Sequence, residues 1–234
     1  MQNVFGASGR EEDSEWLSVS DLMAGLMVLF LFIAIVFIRP VAEQNLRIKE
    51  IARTWQENET EIYEALLSEF EPDLVRWNAE LEKDTLLIRF KSPEVLFETG
   101  RASIRPRFAE VLRDFFPRYV KVLDKFRPSI EEVRIEGHTS SVWNHTTPPD
   151  DAYFKNMELS QERTRAVLQN VLGLAEIDSD RHWLQPLLTA NGLSSSRPVL
   201  NADGTENRDR SRRVEFRIRT TVRTEIVRIL EEVR

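Results

Sequence analysis

Cysteine is absent from this chain of 234 residues, which excludes disulfide bonds and thiolate metal sites. Glycine is scarce, with 8 residues, and none of them forms a glycine-rich phosphate loop. A strongly basic stretch is also lacking, and the net charge of −7 gives no sign of direct nucleic-acid binding. Because no activated nucleophile is recognisable either, we expect a protein that is not an enzyme and has no catalytic residues.

The histidines are too few and too far apart for a metal motif. His138, His145 and His182 are the only three, and their spacing fits no zinc or iron site. We therefore predict neither a metal site nor a bound cofactor.

One apolar run is long enough to cross a membrane. Residues 22–38 carry no charge and cover roughly 26 Å as a helix, or about 34 Å when counted from Trp16, against a hydrocarbon core of about 30 Å. The start is not basic, and Arg39-Pro40 ends the run without a small-residue cleavage pattern, which argues against a signal peptide. We predict a tail at 1–15 and a single transmembrane helix at 16–38.

Asp21 stands at the head of this run. A charge inside a membrane costs several kcal/mol unless it is neutralised, paired or in a wet cavity, so the carboxylate is a candidate ion or proton site. The alternative is a helix N-cap at the interface, a role that Ser18 and Ser20 can also fill. More basic residues follow the run than precede it, which favours an outside N-terminus, although large domains translocate largely regardless of charge.

Residues 39–83 are charged and free of glycine, with apolar residues at helical spacing. We predict a helical linker that Pro72 breaks or kinks. Trp55, Ile62 and Leu66 lie along one stripe. We expect this stripe to pair two copies of the chain, since a lone exposed helix has nothing to bury it against. The alternative is a helix on the bilayer surface, which the mixture of acids and bases on its polar face disfavours.

From residue 84 the pattern alternates between strand and helix, which predicts an α/β sandwich at 84–222 with helices on one face of a mixed sheet. A charged tail at 223–234 follows. The predicted strands are 85–90, 132–136, 187–190 and 214–220, and the predicted helices are 106–126, opened by a proline, and 159–172.

Five stretches of this domain together resemble the OmpA-like peptidoglycan-binding family, which includes the wall-binding modules of MotB, Pal and OmpA. They are residues 95–106, 135–139, 156–163, 192 with 197–198, and 207–216. The resemblance implies a groove for the peptidoglycan stem peptide, in which Arg163 of the Leu-Ser-x-x-Arg motif takes a carboxylate of diaminopimelate. It places Thr139, Ser140, Asn156 and Leu159 in the same groove.

The alternative for Arg163 is a structural one, as a cap on the sheet edge or a partner of Glu136. The chain also departs from the family, which has an aspartate for the diaminopimelate ammonium where this chain has Ser140. Either Asp150 or Asp151, in the loop that follows, supplies the missing charge, or the ligand is held differently. Gly137 is expected to serve a tight backbone turn.

The complete layout, an anchor headed by an aspartate, a linker and an OmpA-like domain, resembles MotB and, more closely, the MotB-like subunits of the Zorya anti-phage defence system. The resemblance implies a homodimer inside a ring of MotA-like or ZorA-like multi-span subunits, pentameric in the expected form. Asp21 would carry a proton or sodium ion, with Gly25 and Phe32 on the same helix face. The wall domain would be periplasmic, the N-terminus cytoplasmic and the membrane the bacterial inner one, with cytoplasmic defence effectors served indirectly. The alternatives are a flagellar MotB-type stator subunit and a passive, Pal-like tether between membrane and peptidoglycan.

Overall fold

The computed structural model describes residues 8–91 and 96–221, and it divides the chain into two compact units, 1–54 and 55–234. Helix α1 (Ser8–Leu74) begins in the first unit and ends in the second. The start of the predicted tail, the first residue of the motif stretch 95–106 and the predicted tail 223–234 lie outside the described residues.

Within the first unit, α1 contains an apolar segment, Val19–Arg39, of 21 residues with a mean hydropathy of 2.7. By length and composition it is the one helix of the described residues that is able to cross a membrane. None of this segment is buried within the chain, so its apolar surface is available to lipid or to partner helices.

Proline does not divide α1, contrary to the prediction of a break or kink that splits the linker at Pro72. The helix continues through Pro40 and Pro72 and ends at Leu74. Phe70 and Trp77, on either side of Pro72, are both buried, and their ring centroids lie 5.9 Å apart. Packing of these rings compensates for the hydrogen bond that proline removes close to the helix end.

The second unit is built on a five-stranded sheet in the order β1-β2-β5-β3-β4. The strands are β1 (Ala79–Glu82), β2 (Leu87–Lys91), β3 (Ile130–His138), β4 (Leu188–Gly192) and β5 (Arg213–Thr220). β3 and β4 pair in parallel and the other neighbours are antiparallel. The predicted mixed sheet is confirmed, and only the short edge strand β1 was missed.

Two long helices, α2 (Pro106–Asp124) and α3 (Pro149–Leu172), cover one face of this sheet. Short helices α4 (Arg181–Leu184) and α5 (Arg208–Ser211) and 3-10 turns at Arg127–Ser129 and Ala175–Ile177 complete the unit. α3 starts ten residues before the predicted residue 159, because Pro149 in its first turn has a backbone suited to a helix start and Asp150 and Asp151 favour its positive end.

The end of α1 belongs to the core of the sheet domain. Ile62, Leu66 and Phe70 are fully buried and lie in one apolar cluster with residues of α2, α3 and the sheet. The predicted boundary at residue 84 is therefore wrong, since the compact unit begins at Trp55. For the same reason Ile62 and Leu66 face this chain's own domain and not a second copy. The side chain of Trp55 lies outside the described set.

Candidate functional site

A cavity of about 180 Å³ opens where the end of β3 meets α3. It is lined by all five residues predicted to bind peptidoglycan: Thr139, Ser140, Asn156, Leu159 and Arg163. Its remaining described lining residues, which the sequence did not predict, are Phe97, Thr99, Gly100, Val142, Trp143 and Arg212.

Two glycines allow α3 to pack close to the sheet beside this cavity. Gly137 of β3 and Gly192 of β4 are register partners. A Cβ on Gly137 would lie 2.6 Å from Thr164 Cγ2, and one on Gly192 would lie 2.2 Å from the backbone nitrogen of Gln161. Gly137 thus serves close helix packing inside a strand, and the prediction of a tight turn is wrong.

Arg163 is 9% exposed and extends from α3 under the loop that precedes α2. Its Nε donates a hydrogen bond of 3.0 Å to the carbonyl of Arg101, and Nη2 donates one of 3.4 Å to that of Glu98. The guanidinium carbon lies 4.9 Å from the centroid of the Phe97 ring. Among the described residues, no carboxylate pairs with it.

Burial, and then the like charge of Arg212, lower the pKa of Arg163 to about 10. The cation is therefore held in a site that disfavours it, and an anion entering the cavity would relieve this cost. The alternative in which Arg163 pairs with Glu136 is wrong, because Glu136 is engaged by Arg217 at 3.4 Å and Arg197 at 3.3 Å.

The part of the cavity after β3 is neutral. Asn156 is buried and donates from Nδ2 to the carbonyl of Ser140 at 3.1 Å, so it orients the loop after β3. Ser140 Oγ donates to the carbonyl of Val142 at 3.4 Å. The Oγ1 atom of Thr139 is buried and has no hydrogen-bond partner within the described residues.

Among the described residues that line this cavity, none is an acid in place of the family aspartate. Asp150 and Asp151 are exposed in the first turn of α3, and neither is among the described lining residues. Glu206 accepts hydrogen bonds from the backbone N–H of Ser141 at 3.1 Å and from its hydroxyl at 2.5 Å. Glu206 was not singled out, because 65 residues separate it from Ser141 in sequence.

The opposite face of the sheet carries a buried ionic cluster that the sequence analysis missed. Glu136 and Glu215 lie opposite each other on β3 and β5, and His138 Nε2 is 3.7 Å and 3.5 Å from their carboxylates. Although burial alone would raise the pKa of Glu215, the nearby His138 ring and the charge of Arg213 hold it well below its usual range.

These three side chains have the donor atoms of a metal site, with all ligand atoms within 4.8 Å of one another. The surroundings disfavour a cation, however, since Arg213, Arg217 and Arg197 already bind the two carboxylates. His145 and His182 are exposed elsewhere, in a loop and in α4. The fold does not bring the three histidines together.

Asp21 lies in the interior of α1, thirteen residues after its first residue Ser8, so the interpretation of Asp21 as an N-cap is wrong. It is the third residue of the apolar segment Val19–Arg39 and is exposed. Gly25 and Phe32 fall on the same face at helical spacing. A Cβ added at Gly25 would meet no atom within 4 Å, so a partner helix is free to approach there.

Comparisons with known proteins agree with this architecture, although no protein-family model matches the chain. It is 48% identical over 235 residues, which is 99% of this chain and 100% of the relative, to Zorya protein ZorB of Escherichia coli strain Crooks. It is 24% identical over 234 residues, 92% of this chain and 86% of the relative, to Zorya protein ZorB of Escherichia coli O139:H28.

Among solved structures, the chain is similar to a MotB-like protein from Desulfovibrio vulgaris. The TM-score is 0.50 at 28% identity, and the match covers 71% of this chain and 93% of that one. The similarity places the sheet domain among MotB-like, OmpA-like domains.

Proposed function

Because the chain belongs to the ZorB family of Zorya proteins, we propose that it is the peptidoglycan-anchored, stator-like subunit of an ion-driven motor in anti-phage defence. The observation that carries this proposal is the cavity that all five predicted wall-binding residues line, one of which is a buried arginine without a described carboxylate partner. The protein works by binding and ion transfer, not by catalysis, and needs no cofactor.

The cavity suits the carboxylate end of a peptidoglycan stem peptide. Nε and Nη2 of Arg163 hold two loop carbonyls, and Nη1 is left to donate a charge-assisted hydrogen bond to the ligand. Thr139 Oγ1 offers a neutral polar contact, and Leu159 and Trp143 supply apolar walls. The ligand carboxylate compensates a cation that burial and Arg212 disfavour.

The apolar helix supplies the motor function. Two copies of the chain present Asp21 inside a ring of MotA-like, ZorA-like subunits, a pentamer in the expected form. Gly25 on the same face permits close approach of a neighbouring helix. Asp21 takes up a proton, or coordinates sodium, and releases it on the other side, which turns the ring relative to the wall-bound dimer.

The proposed topology follows from these two roles. The wall-binding domain lies in the periplasm, the helix spans the bacterial inner membrane, and the N-terminus is cytoplasmic. Rotation of the ring is passed to cytoplasmic effectors, because nothing in this chain's motifs acts on phage directly.

Replacement of the titratable carboxylate tests the motor role. We expect Asp21→Asn to abolish phage protection and ion flux while the ring subunits still co-purify, because the amide keeps the shape and cannot carry a proton. Ser20→Ala is the matched control and should retain protection. If Asp21→Asn protects as well as the parent at equal expression, the chain is a passive tether, which needs only an anchor and a wall domain.

A further inference from the structure

One wall of the cavity is a loop without regular secondary structure. Residues 139–148 connect the end of β3 to the start of α3. The cavity-lining residues of this loop are Thr139, Ser140, Val142 and Trp143. Because the loop contains no strand or helix, contacts from other parts of the chain must set the position of these side chains.

The first two residues of the loop are held by the chain around it. The N–H of Thr139 donates to the carbonyl of Ser194 at 2.9 Å, and the carbonyl of Ser140 accepts from Asn156 at 3.1 Å. These two contacts fix the loop where it leaves β3. The next residue, Ser141, carries the anchor that holds the loop further along.

Glu206 provides this anchor with its carboxylate. The backbone N–H of Ser141 donates to Oε1 at 3.1 Å and to Oε2 at 3.2 Å, and the hydroxyl donates to Oε2 at 2.5 Å. Hydrogen bonds to an ionised carboxylate are stronger than neutral ones. Ser141 is therefore held through both its backbone and its side chain, and its cavity-lining neighbours Ser140 and Val142 are held with it.

Glu206 stands on a well-bonded support, the hairpin loop formed by residues 199–207. Leu200 and Glu206 form an antiparallel bridge, and the N–H of Asn207 donates to the carbonyl of Val199 at 2.7 Å. The side chain of Asn207 accepts from a backbone N–H in the first turn of α5 and so joins the hairpin to that helix. The hairpin thus sets the position of the carboxylate, and the carboxylate sets the position of the loop after β3.

The contact between Glu206 and Ser141 lies near the surface. Ser141 is exposed and Glu206 is half-buried, and hydrogen bonds in such a position contribute little to the stability of a whole domain. Their effect is local. Without them the loop samples other conformations, and each of these lowers the fraction of the protein in which the cavity wall is in place.

We propose that Glu206 is a positioning residue of this cavity, which holds the loop after β3 in its ligand-binding conformation through Ser141. The inference rests on the proposed wall-binding function and adds a residue, outside the described lining, on which the affinity depends. Loss of the anchor leaves every ligand-binding group in the chain, but it lowers the affinity in proportion to the fraction of the protein that remains competent.

Hydrogen exchange of the ligand-free protein measures the anchor directly. The full-length chain in detergent is transferred to deuterated water, and the amide of Ser141 is followed by mass spectrometry in overlapping peptides that cover residues 139–148. We expect this amide to exchange about tenfold faster in Glu206→Ala than in the parent, which corresponds to the loss of one charge-assisted hydrogen bond. Exchange in α2 should not change.

Binding is measured on the same variants by titration with the synthetic tripeptide L-Ala-γ-D-Glu-diaminopimelate. Glu206→Ala should weaken binding by about fivefold to tenfold, because only a fraction of the free protein then has the competent loop. Glu206→Gln, whose amide oxygen still accepts a hydrogen bond from Ser141, should recover most of this loss. Glu176→Ala removes the same charge from an exposed position in a 3-10 turn and should bind like the parent.

A double-mutant cycle distinguishes an action through Ser141 from a direct contact with the ligand. Ser141→Ala removes the hydroxyl bond to Glu206, so Glu206→Ala should cost less affinity in the Ser141→Ala background than in the parent. The melting temperature of each variant should stay within a few degrees of the parent value.

Parent-like binding or parent-like loop exchange in Glu206→Ala would overturn the inference. An equal loss of affinity in Glu176→Ala would overturn it as a general effect of charge, and an undiminished loss in the Ser141→Ala background would overturn it in favour of direct ligand contact. A large drop in the melting temperature of Glu206→Ala would give Glu206 a structural role instead. If the parent chain does not bind the tripeptide, the wall-binding function itself is wrong, and this inference is wrong with it.

Discussion

Arg163, the residue proposed to bind the ligand carboxylate, is held in a position that disfavours its own charge. Its guanidinium is buried beside the charge of Arg212, and backbone carbonyls are its only described hydrogen-bond partners. Carbonyl dipoles fix its orientation without neutralising it, so in the proposed function the compensating charge comes with the ligand. A substitution of Arg163 is therefore expected to weaken ligand binding without lowering the stability of the domain.

We expect Arg163→Met to reduce binding of intact sacculi at least tenfold, because a charge-assisted contact is worth about 1.5 to 3 kcal/mol. The melting temperature should stay within a few degrees of the parent value, since the apolar replacement removes a disfavoured buried cation along with two hydrogen bonds. Arg165→Met, an exposed cation of the same helix, is the matched control and should bind normally. Equal recovery of Arg163→Met and parent in a pull-down would contradict the assigned role.

Residues carried by local motifs were predictable, and residues paired across the sheet were not. The resemblance of residues 156–163 to the OmpA-like family identified Arg163, Leu159 and Asn156, and the helical spacing of three and seven residues from Asn156 keeps them on one face. Glu136 and Glu215 became neighbours only through the β3–β5 register. Arg212 stood in a recognised stretch, but nothing in the sequence shows that it faces the same cavity as Arg163.

At the scale of elements, the packing of α3 on β3 and β4 depends on two glycines, Gly137 and Gly192, which differ in how well they should tolerate an added Cβ. We expect Gly192→Ala to destabilise the domain by at least about 2 kcal/mol, because the new Cβ would meet the backbone of Gln161. At Gly137 the closest atom is the Cγ2 methyl of Thr164, which Thr164→Ser removes.

The double variant Gly137→Ala with Thr164→Ser should therefore recover part of the stability lost in Gly137→Ala, and Thr164→Ser should not help Gly192→Ala. Urea unfolding of each variant measures the effect. Equal rescue at both glycines would mean that the helix shifts as a whole and that neither contact is specific.

The charged residues on the face of the sheet opposite α2 and α3 affect how the stability of the domain responds to acid. Although burial alone would raise the pKa of Glu132, hydrogen bonds from Arg134, Thr189 and Arg219 lower it to about 2. Because the folded pKa lies below the unfolded value of 4.5, this stabilisation is fully present above pH 4.5 and is lost as the pH falls towards about 2.

We therefore expect the free energy of unfolding of residues 55–234 to decrease from pH 4.5 to pH 2.5, with part of that decrease removed in Glu132→Gln. Urea titrations at fixed pH values measure it. An unchanged slope in Glu132→Gln would show that other carboxylates carry the acid response.

Element type was predictable where the periodicity was strong, and element boundaries were not. α2 began at its predicted proline, and β5 matched its strict alternation to within one residue. β1 contains only four residues, two of them charged, and it is a strand because β2 pairs with it. The linker helix was predicted correctly by its spacing, but the sequence could not say which surface buries its stripe.

At the scale of the molecule, the end of α1 is part of the sheet domain. We expect a fragment of residues 55–234 to unfold cooperatively, whereas a fragment of 84–234 lacks Ile62, Leu66 and Phe70 and should be aggregated or molten. Circular dichroism melting compares the two. A cooperative, equally stable 84–234 fragment would show that the helix end is dispensable.

Single cysteines, introduced into a chain that has none, distinguish the part of α1 that packs into the domain core from the part that is exposed. Ile62→Cys is buried in the domain core and should not cross-link two chains in membranes. Leu46→Cys, at a position 66% exposed, is able to do so if two copies pair along the helix. Cross-linking through Ile62→Cys in folded protein would show that this position pairs two copies of the chain, as the sequence analysis predicted.

The strand order has a consequence for how this protein is made. β5, the last of the described strands to be synthesised, lies in the middle of the sheet between β2 and β3. Until residues 213–220 have been synthesised, β2 lacks its neighbour β5, and β3 is able to pair only with β4. Most of the chain therefore leaves the ribosome before the sheet closes. A domain that the proposed topology sends across a membrane therefore reaches the translocation machinery still unfolded, and it completes its fold only after export.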